Sequence, residues 1–575
     1  MARWGQLLSL LLVLGSCTAV SKSPLPVQGD GSDSSRAVTP LAVAVLPDLP
    51  RTASSETHGR WVVNKYYGVN FAGDSLMLSP PAPGEWAWAI VDLGERLPGY
   101  KPSTIYFPAA SGWTMIPPMY AWVGVSDYAA GKWVFSYVEG SPGPVDLSSL
   151  PATADLVSPA TSHAYMVLIS DTAVDFGQSV LAPTVTVVEP ELGIAVGMNN
   201  SLRFGSGGLG DILTYCPGPA EAGGALARAI LQGDGSVDWI FYPLYEVTRP
   251  LLGCIRFSTA HFADGRLAAA AARSDPSALV RFVEEASLGA GTPTASFSQQ
   301  IAVGASHLPS NFDDPQFSLA MAGLAPDEQP HLAFIDKNGE LQYAFRSAGS
   351  WTVTDGGPAD AGGYPSAAAS PLGMLVVAFR DNSSTPSSLG VCGHPLSDDV
   401  GAWTNVRQAF LNPGLGAGGL YSSLYYDSAG SRWNAAHCIE ALGSGIHSLG
   451  YAVDSGDWLG GLWKNQVVDE GSAGRDVGLY ASVGTLSDGA PAVAYYDSTA
   501  RQLWLAISGV AAGDVGTAPG EGWLRLLIDD GAGTDGAGRF CSLDVFHTPG
   551  GGDVIGIAYE ALPGGSSVLR LALVR

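Results

Sequence analysis

From residue 275 onward, acids recur in one setting. Asp275, Asp336, Asp381, Glu440 and Asp497 each follow a short apolar run and precede a turn, and Glu560 is a looser sixth. Carboxylates repeated in this way can do three things. Two held at a fixed separation can act on a glycosidic bond. An arc of them can attract a cation or a basic partner; "DKNGE" (Asp336–Glu340) sets oxygens at alternating positions, like part of a calcium loop. Each acid alone can accept hydrogen bonds from turn N–H groups and so fix the turn. A catalytic centre needs differentiated residues in separate roles, whereas a repeated turn would itself place an acid in every repeat. Arg380 and His437 break the repeated pattern, so they mark places to look for a specific site. The expected ligand-binding rim is therefore Asp275, Asp336, Asp381, Glu440, Asp497, Arg380 and His437. No catalytic residue is assigned, no metal ligand is assigned, and calcium is the one cofactor considered.

The elements that carry these acids repeat as well. "PHLAFIDKNGELQYAF" (Pro330–Phe345), "LVVAFRDNSSTPSSLGVC" (Leu375–Cys392), "WNAAHCIEALGSGIHSLGYA" (Trp433–Ala452) and "PAVAYYDSTARQLWLA" (Pro491–Ala506) share one plan. An apolar strand ends at an acid, a turn follows, and a second strand resumes. Upstream lie alternating strands led by an aromatic, such as "YSSLYYD", "YASVGTL" and "FCSLDVF". Downstream come Gly-x-Trp turns at Trp351, Trp403 and Trp458, and the related "GEGW" (Gly520–Trp523). Four strands in roughly 45–60 residues are the size of a propeller blade. One Trp per repeat at the same place is expected of a residue that seals neighbouring blades. The last repeat holds three strands, and "TVTVV" near residue 184 is the candidate for its fourth, which would remove an exposed edge.

The motif "DGAPAVAYYD" (Asp488–Asp497), with "LQYA" (Leu341–Ala344), resembles the repeat of secreted bacterial β-propeller proteins. The resemblance covers about two thirds of the chain, and it implies a fold rather than an activity. Before the repeats, residues 58–187 hold six to eight short strand-like runs separated by turn signals. These read as a jelly-roll-like β-sandwich, whose Trp86, Trp88, Trp113 and Trp122 are either core residues or platforms for sugars.

Common site signatures are missing. The sequence has no G-x-S-x-G and no H-E-x-x-H. "GSGGLG" (Gly205–Gly210) opens no helix that could hold a pyrophosphate. "VDSGDW" (Val453–Trp458) falls one residue short of a sialidase Asp-box, and no pattern links Arg256, Arg346, Arg380 and Arg432.

Bulk properties narrow the classes further. The 575-residue chain carries a formal charge of −25 with 28 basic residues, which argues against a nucleic-acid partner. The apolar run Leu7–Gly15 suits an export signal and is too short to span a bilayer as a helix. It ends in "LGSC", which resembles the lipobox of bacterial lipoproteins, with Cys17 as the lipidated residue; the alternative is an ordinary signal cut after Ala19. Any membrane attachment is expected only through this anchor. Five further cysteines at wide spacings form no C-x-x-C. They read as buried thiols, with one disulfide, Cys216–Cys254, as an option.

The expected molecule is all-β: signal peptide 1–17, flexible linker 18–57, β-sandwich 58–187 and β-propeller 188–575. Seven blades fit best, with six or eight as alternatives. It is expected to be an exported or cell-surface monomer. The expected function is non-enzymatic binding of a carbohydrate or protein ligand. The alternative is an extracellular carbohydrate-active hydrolase or lyase, sialidase-like, with its site in the central funnel.

Overall fold

The computed structural model describes residues 46–575, apart from stretches between strands, the longest being 106–119 and 286–296. Cys17, Trp113, Trp458 and Asp275 lie outside the described residues. The described chain is all-β, with two single-turn 3-10 segments, Ala512–Asp514 and Pro563–Gly565, in the later part.

Alternating apolar positions build the first part. A six-stranded sheet runs in the order Glu56–His58, Trp61–Tyr67, Ala87–Glu95, His163–Ser170, Tyr120–Asp127, Lys132–Glu139. One face carries Trp61, Val63, Ala89, Val91, Val123, Met166 and Leu168. It shares a core with Leu76, Leu78 and Val174 of a three-stranded sheet. Successive side chains point to opposite faces, so Ile90, Trp122, Tyr165, Val167 and Ile169 form a second apolar layer. Leu46 and Leu49 pack on that layer, and Trp133 Nε1 donates to the Pro47 carbonyl at 2.7 Å. Residues 46–50, read from sequence as tether, are thus part of the packed structure. Trp122 is buried, and Trp86 and Trp88 pack beside it, so these three serve the core.

Seven four-stranded antiparallel sheets follow, numbered I to VII by their first strands. These are Met198–Phe204, Cys254–His261, Phe317–Ala322, Ala361–Ser370, Ala417–Asp427, Val477–Thr485 and Ala537–His547. Each sheet is open, with two edge strands. The contacts between sheets are cyclic: every first strand touches the next, and that of sheet VII touches that of sheet I. An apolar cluster fills each of the seven interfaces, including Leu202 and Ile212 of sheet I against Val554, Ala558 and Leu571 of sheet VII.

Sheet VII takes its fourth strand from far upstream. Val185–Val188 pairs antiparallel with Val568–Val574, from Val185 opposite Val574 to Val188 opposite Leu571. The expected boundary at 187/188 falls inside this strand. Three of the tryptophans that follow the glycine turns lie against the preceding sheet. Trp351 Nε1 donates to Gln300 Oε1 at 3.1 Å, Trp523 Nε1 donates to Gln466 Oε1 at 2.7 Å, and the Trp403 ring lies 5.6 Å from that of Tyr343.

One serine per sheet ties the first strands together. Ser201 Oγ accepts from Thr259 N, Ser258 from Leu319 N, Ser318 from Ala367 N and Ser366 from Leu424 N. Ser423 accepts from Val483 N, Ser482 from Leu543 N and Ser542 from Leu202 N. All seven bonds measure 2.9–3.1 Å, and each links one sheet to the next. A serine hydroxyl is short enough to reach a neighbouring backbone, and it satisfies a donor that the sheet's own ladder leaves open.

Candidate functional site

The residue two before each of these serines stands at the mouth of the cycle. In chain order these are Asn199, Arg256, Gln316, Tyr364, Tyr421, Tyr480 and Phe540, and all seven line one cavity of about 220 Å³. The local backbone explains why they point there. In sheets I, IV, V, VI and VII the pairing register slips at this position. Leu420 faces Cys438 while Ser423 faces Ala436, so three steps on the first strand oppose two on its partner. Such a bulge re-aims a side chain. The bulge residue sits in the left-handed region: Asn199 at φ 53°, Tyr364 at 54°, Tyr421 at 47°, Tyr480 at 55° and Phe540 at 52°. That conformation is costly for an aromatic residue, and such residues cluster at binding and catalytic sites. Glycine two residues earlier makes room for the bulge. A Cβ at Gly419 would lie 2.7 Å from the Arg380 Cα, and one at Gly538 would lie 2.8 Å from the Leu503 Cα.

The mouth has two unlike arcs. Tyr364, Tyr421, Tyr480 and Phe540 form the first, with consecutive ring centroids 4.8 Å apart and planes tilted by 49–55°. Asn199, Arg256 and Gln316 form the second. Arg256 Nη1 donates to Asn199 Oδ1 at 2.5 Å, and Gln316 Oε1 accepts from the Tyr364 backbone N–H at 2.5 Å. The arcs meet at Phe540, whose ring has the Arg256 guanidinium at 5.8 Å and that of Arg539 at 5.1 Å. Below, side chains of the next position brace the bulges. Ser422 Oγ donates to the Tyr364 carbonyl, and Cys541 Sγ donates to the Tyr480 carbonyl at 3.0 Å.

The described acids of the expected rim, Asp336, Asp381, Glu440 and Asp497, lie on the same side as the mouth, because second-strand ends pair with first-strand starts. They do not line the mouth. Asp336 Oδ1 accepts from Asn338 N and Glu340 N, at 2.8 and 2.9 Å, and Oδ2 accepts from Asn338 Nδ2 at 3.1 Å. Asp381 Oδ1 accepts from Ser383 N at 2.9 Å. Asp497 is fully buried; it accepts from Thr499 N and Ala500 N, and its other oxygen holds Arg475 at 2.6–2.7 Å. Glu440 sits one step beyond the position equivalent to Asp497. Ala436 aligns with Ala494 through the serine pairing, which puts Ile439 opposite Asp497. Among the described residues no group of three or more His, Cys, Asp or Glu could hold a metal ion.

His437 and Arg380 stand behind the aromatic arc. His437 is buried, and its Nδ1 accepts from the Gly419 N–H at 3.1 Å, which fixes the approach to the Tyr421 bulge. Burial pushes its pKa down to about 4, so the ring is neutral. Arg380 packs its backbone against Gly419. Arg346 is bound to Glu284 at 2.9 Å and does not line the mouth. A close carboxylate pair, Asp211 and Glu285, is buried and bridged by Arg228 between sheets I and II. Cys216 and Cys254 are free, so the optional disulfide is not formed; Cys392, Cys438 and Cys541 are also free and buried.

Sequence reasoning missed the mouth. The signal available was the aromatic two residues before a serine in "YPSAAAS", "YSSLYYD", "YASVGTL" and "FCSLDVF". In sheets I to III the same position holds Asn, Arg and Gln, and there the pattern is hidden.

No family model matches the chain, and no curated protein matches it. Among solved structures it is similar to AofleA from Arthrobotrys oligospora, at 12% identity and a TM-score of 0.36 over 60% of this chain and 92% of that one. It is also similar to an endo-arabinase from Bacteroides thetaiotaomicron, at 14% identity and 0.30 over 45% and 94%. A third is the catalytic domain of a GH62 α-L-arabinofuranosidase from Coprinopsis cinerea, at 13% identity and 0.25 over 48% and 89%. The expectation of a non-enzymatic binding protein is corrected: the enzymes among these similar structures are glycosidases, and its alternative is carried forward. At these TM-scores the likeness assigns neither substrate nor residues, and the functional reading stands on the residues of the mouth.

Proposed function

We propose that the chain is an exported carbohydrate-active enzyme whose substrate seats at the mouth of the seven-sheet cycle. In this reading the seven sheets are the blades of a β-propeller, joined to an N-terminal β-sandwich, and Cys17 is the lipid anchor. The observation that carries the functional reading is the pair of facing arcs. Four tilted aromatic rings offer apolar faces to a sugar, and Asn199, Arg256 and Gln316 offer donors and acceptors to its hydroxyls. Strand bulges hold the aromatic arc and Asn199, which favours a site built for geometry over a loose surface patch.

The chemistry available at the mouth is phenolic. Glycosidases usually use two carboxylates, but tyrosine serves as the nucleophile in some families. Among the described lining residues Tyr364, Tyr421, Tyr480 and Ser422 carry hydroxyls and none carries a carboxylate; the Ser422 hydroxyl donates to the Tyr364 carbonyl. Hydrolysis breaks the bond from the anomeric carbon to the glycosidic oxygen; one water supplies the hydroxyl to that carbon and, in the net reaction, the proton to the departing oxygen. Tyr421, central in the aromatic arc, is the residue to which we assign contact with that bond.

The test is a turnover screen of the full chain on polysaccharides and oligosaccharides, followed by Tyr421→Phe. The expected result is release of new reducing ends, lost on removal of the hydroxyl while binding persists. Absence of turnover on any carbohydrate would overturn the proposal, and unchanged turnover in Tyr421→Phe would remove Tyr421 from the chemistry.

A further inference from the structure

We infer that the mouth takes the end of a carbohydrate chain and not an internal stretch, so that the enzyme works from chain termini. This inference rests on the carbohydrate-active reading above, and it concerns how the substrate is presented.

Three features of the cavity point to it. The first is its wall. An internal segment needs a cleft open at both sides, so that the chain can run in and out across the site. Here the seven first strands contact one another in an unbroken cycle, and every sheet contributes a lining residue. A ligand can therefore enter along the axis only, and the closed wall leaves no side cleft along which an internal segment could lie. The second is size. About 220 Å³ is below the ~300–1,000 Å³ of sites that enclose drug-sized ligands, which leaves room for one or two sugar rings.

The third is the shape of the aromatic arc. A platform for an extended polymer presents rings side by side with nearly common planes. From Tyr364 to Phe540 each ring is instead turned by 49–55° from the last, tracking the curve of the mouth. One sugar can touch several of these rings, whereas successive sugars of a straight chain cannot each find one. The left-handed backbone at Tyr364, Tyr421, Tyr480 and Phe540 fixes this curvature within the strands themselves.

The experiment uses the full chain with ladders of linear pentose and hexose oligosaccharides and their parent polymers. Calorimetric affinity is measured against chain length, and products are resolved by size alongside solution viscosity. The expected affinity levels off by two or three residues, mono- or disaccharides appear first, and viscosity falls late. An affinity that climbs steadily to five or six residues, or an early fall in viscosity with mid-length products, would overturn chain-end action and leave the carbohydrate reading standing. If no oligosaccharide binds and none is cleaved, both fail together. Tyr480→Ala opens the wall on one side and is expected to raise the share of mid-length products; a thermal melt confirms that it folds.

Discussion

The backbone N–H of Leu202 donates to Ser542 Oγ at 3.0 Å, across 340 residues of chain. It is the link that joins the last sheet to the first, and chemically it is the same bond as the other six. A network of equal bonds has no weak seam built into it. Removing one hydroxyl leaves a backbone donor without its acceptor between packed strands. We expect Ser542→Ala to cost about 1–3 kcal/mol, and Ser482→Ala to cost a similar amount, both read from urea unfolding. A near-zero cost for Ser542→Ala alone would mean that the first and last sheets are not bonded this way in solution.

The bulge residues separate backbone cost from ring function. Tyr421 holds φ at 47°, a conformation that glycine adopts freely and alanine does not. Tyr421→Gly is therefore expected to be more stable than Tyr421→Ala by about 1 kcal/mol, although glycine is the more flexible residue. Both are expected to lose turnover, because neither keeps the ring. Denaturant midpoints and initial rates on one substrate test the pair; an alanine variant more stable than the glycine variant contradicts the left-handed assignment.

Asp497 is a turn residue by its bonds, with two backbone donors on one oxygen and Arg475 on the other. Asp497→Ala is expected to destabilise by about 3 kcal/mol or more, since a guanidinium and two N–H groups lose a shared partner in a buried place. Activity per folded molecule should change little. A variant with unaltered melting but abolished turnover would return Asp497 to the catalytic candidates.

Acid should weaken the fold through two histidines. Burial pushes His331 and His437 down to about 4 from an ordinary value near 6.5. Between those values the unfolded chain binds protons that the folded chain does not, so stability rises with pH through that window. It is complete above pH 6.5 and is lost as pH falls toward 4, by on the order of 3 kcal/mol for each group. Unfolding monitored at steps from pH 7.5 to 4.5, with His437→Gln for comparison, measures the slope. The variant should show a shallower loss; an identical slope would mean that His437 titrates normally.

Much of the fold could be read in the sequence because it is local. Period-two alternation and punctuating turns marked the strands, and the need to cover an exposed edge singled out "TVTVV", which pairs with Val568–Val574. Register was less legible. Glu440 looked equivalent to Asp497 by spacing to the turn, but the strand pairing sets it one residue further on. The mouth was the least legible feature. It is assembled from one residue per sheet, spread from Asn199 to Phe540, and its chemistry changes from polar to aromatic around the cycle. No local window contains that change. Its backbone conformation could not be foreseen either, because left-handed tyrosine runs against residue preference.

The pairing of Val185–Val188 with Val568–Val574 also sets an order of events during synthesis. Glu189 and Arg570, which meet beside that seam at 3.1 Å, are 381 residues apart. At ~5–20 residues per second on the ribosome, the early strand waits roughly 20–80 s for its partner to be made. Until then its hydrogen-bonding edge is unsatisfied and open to mispairing with other nascent chains. A molecule fastened in this way closes only once Val568–Val574 has been made, and whatever carries it through that interval must keep the first half of the clasp covered.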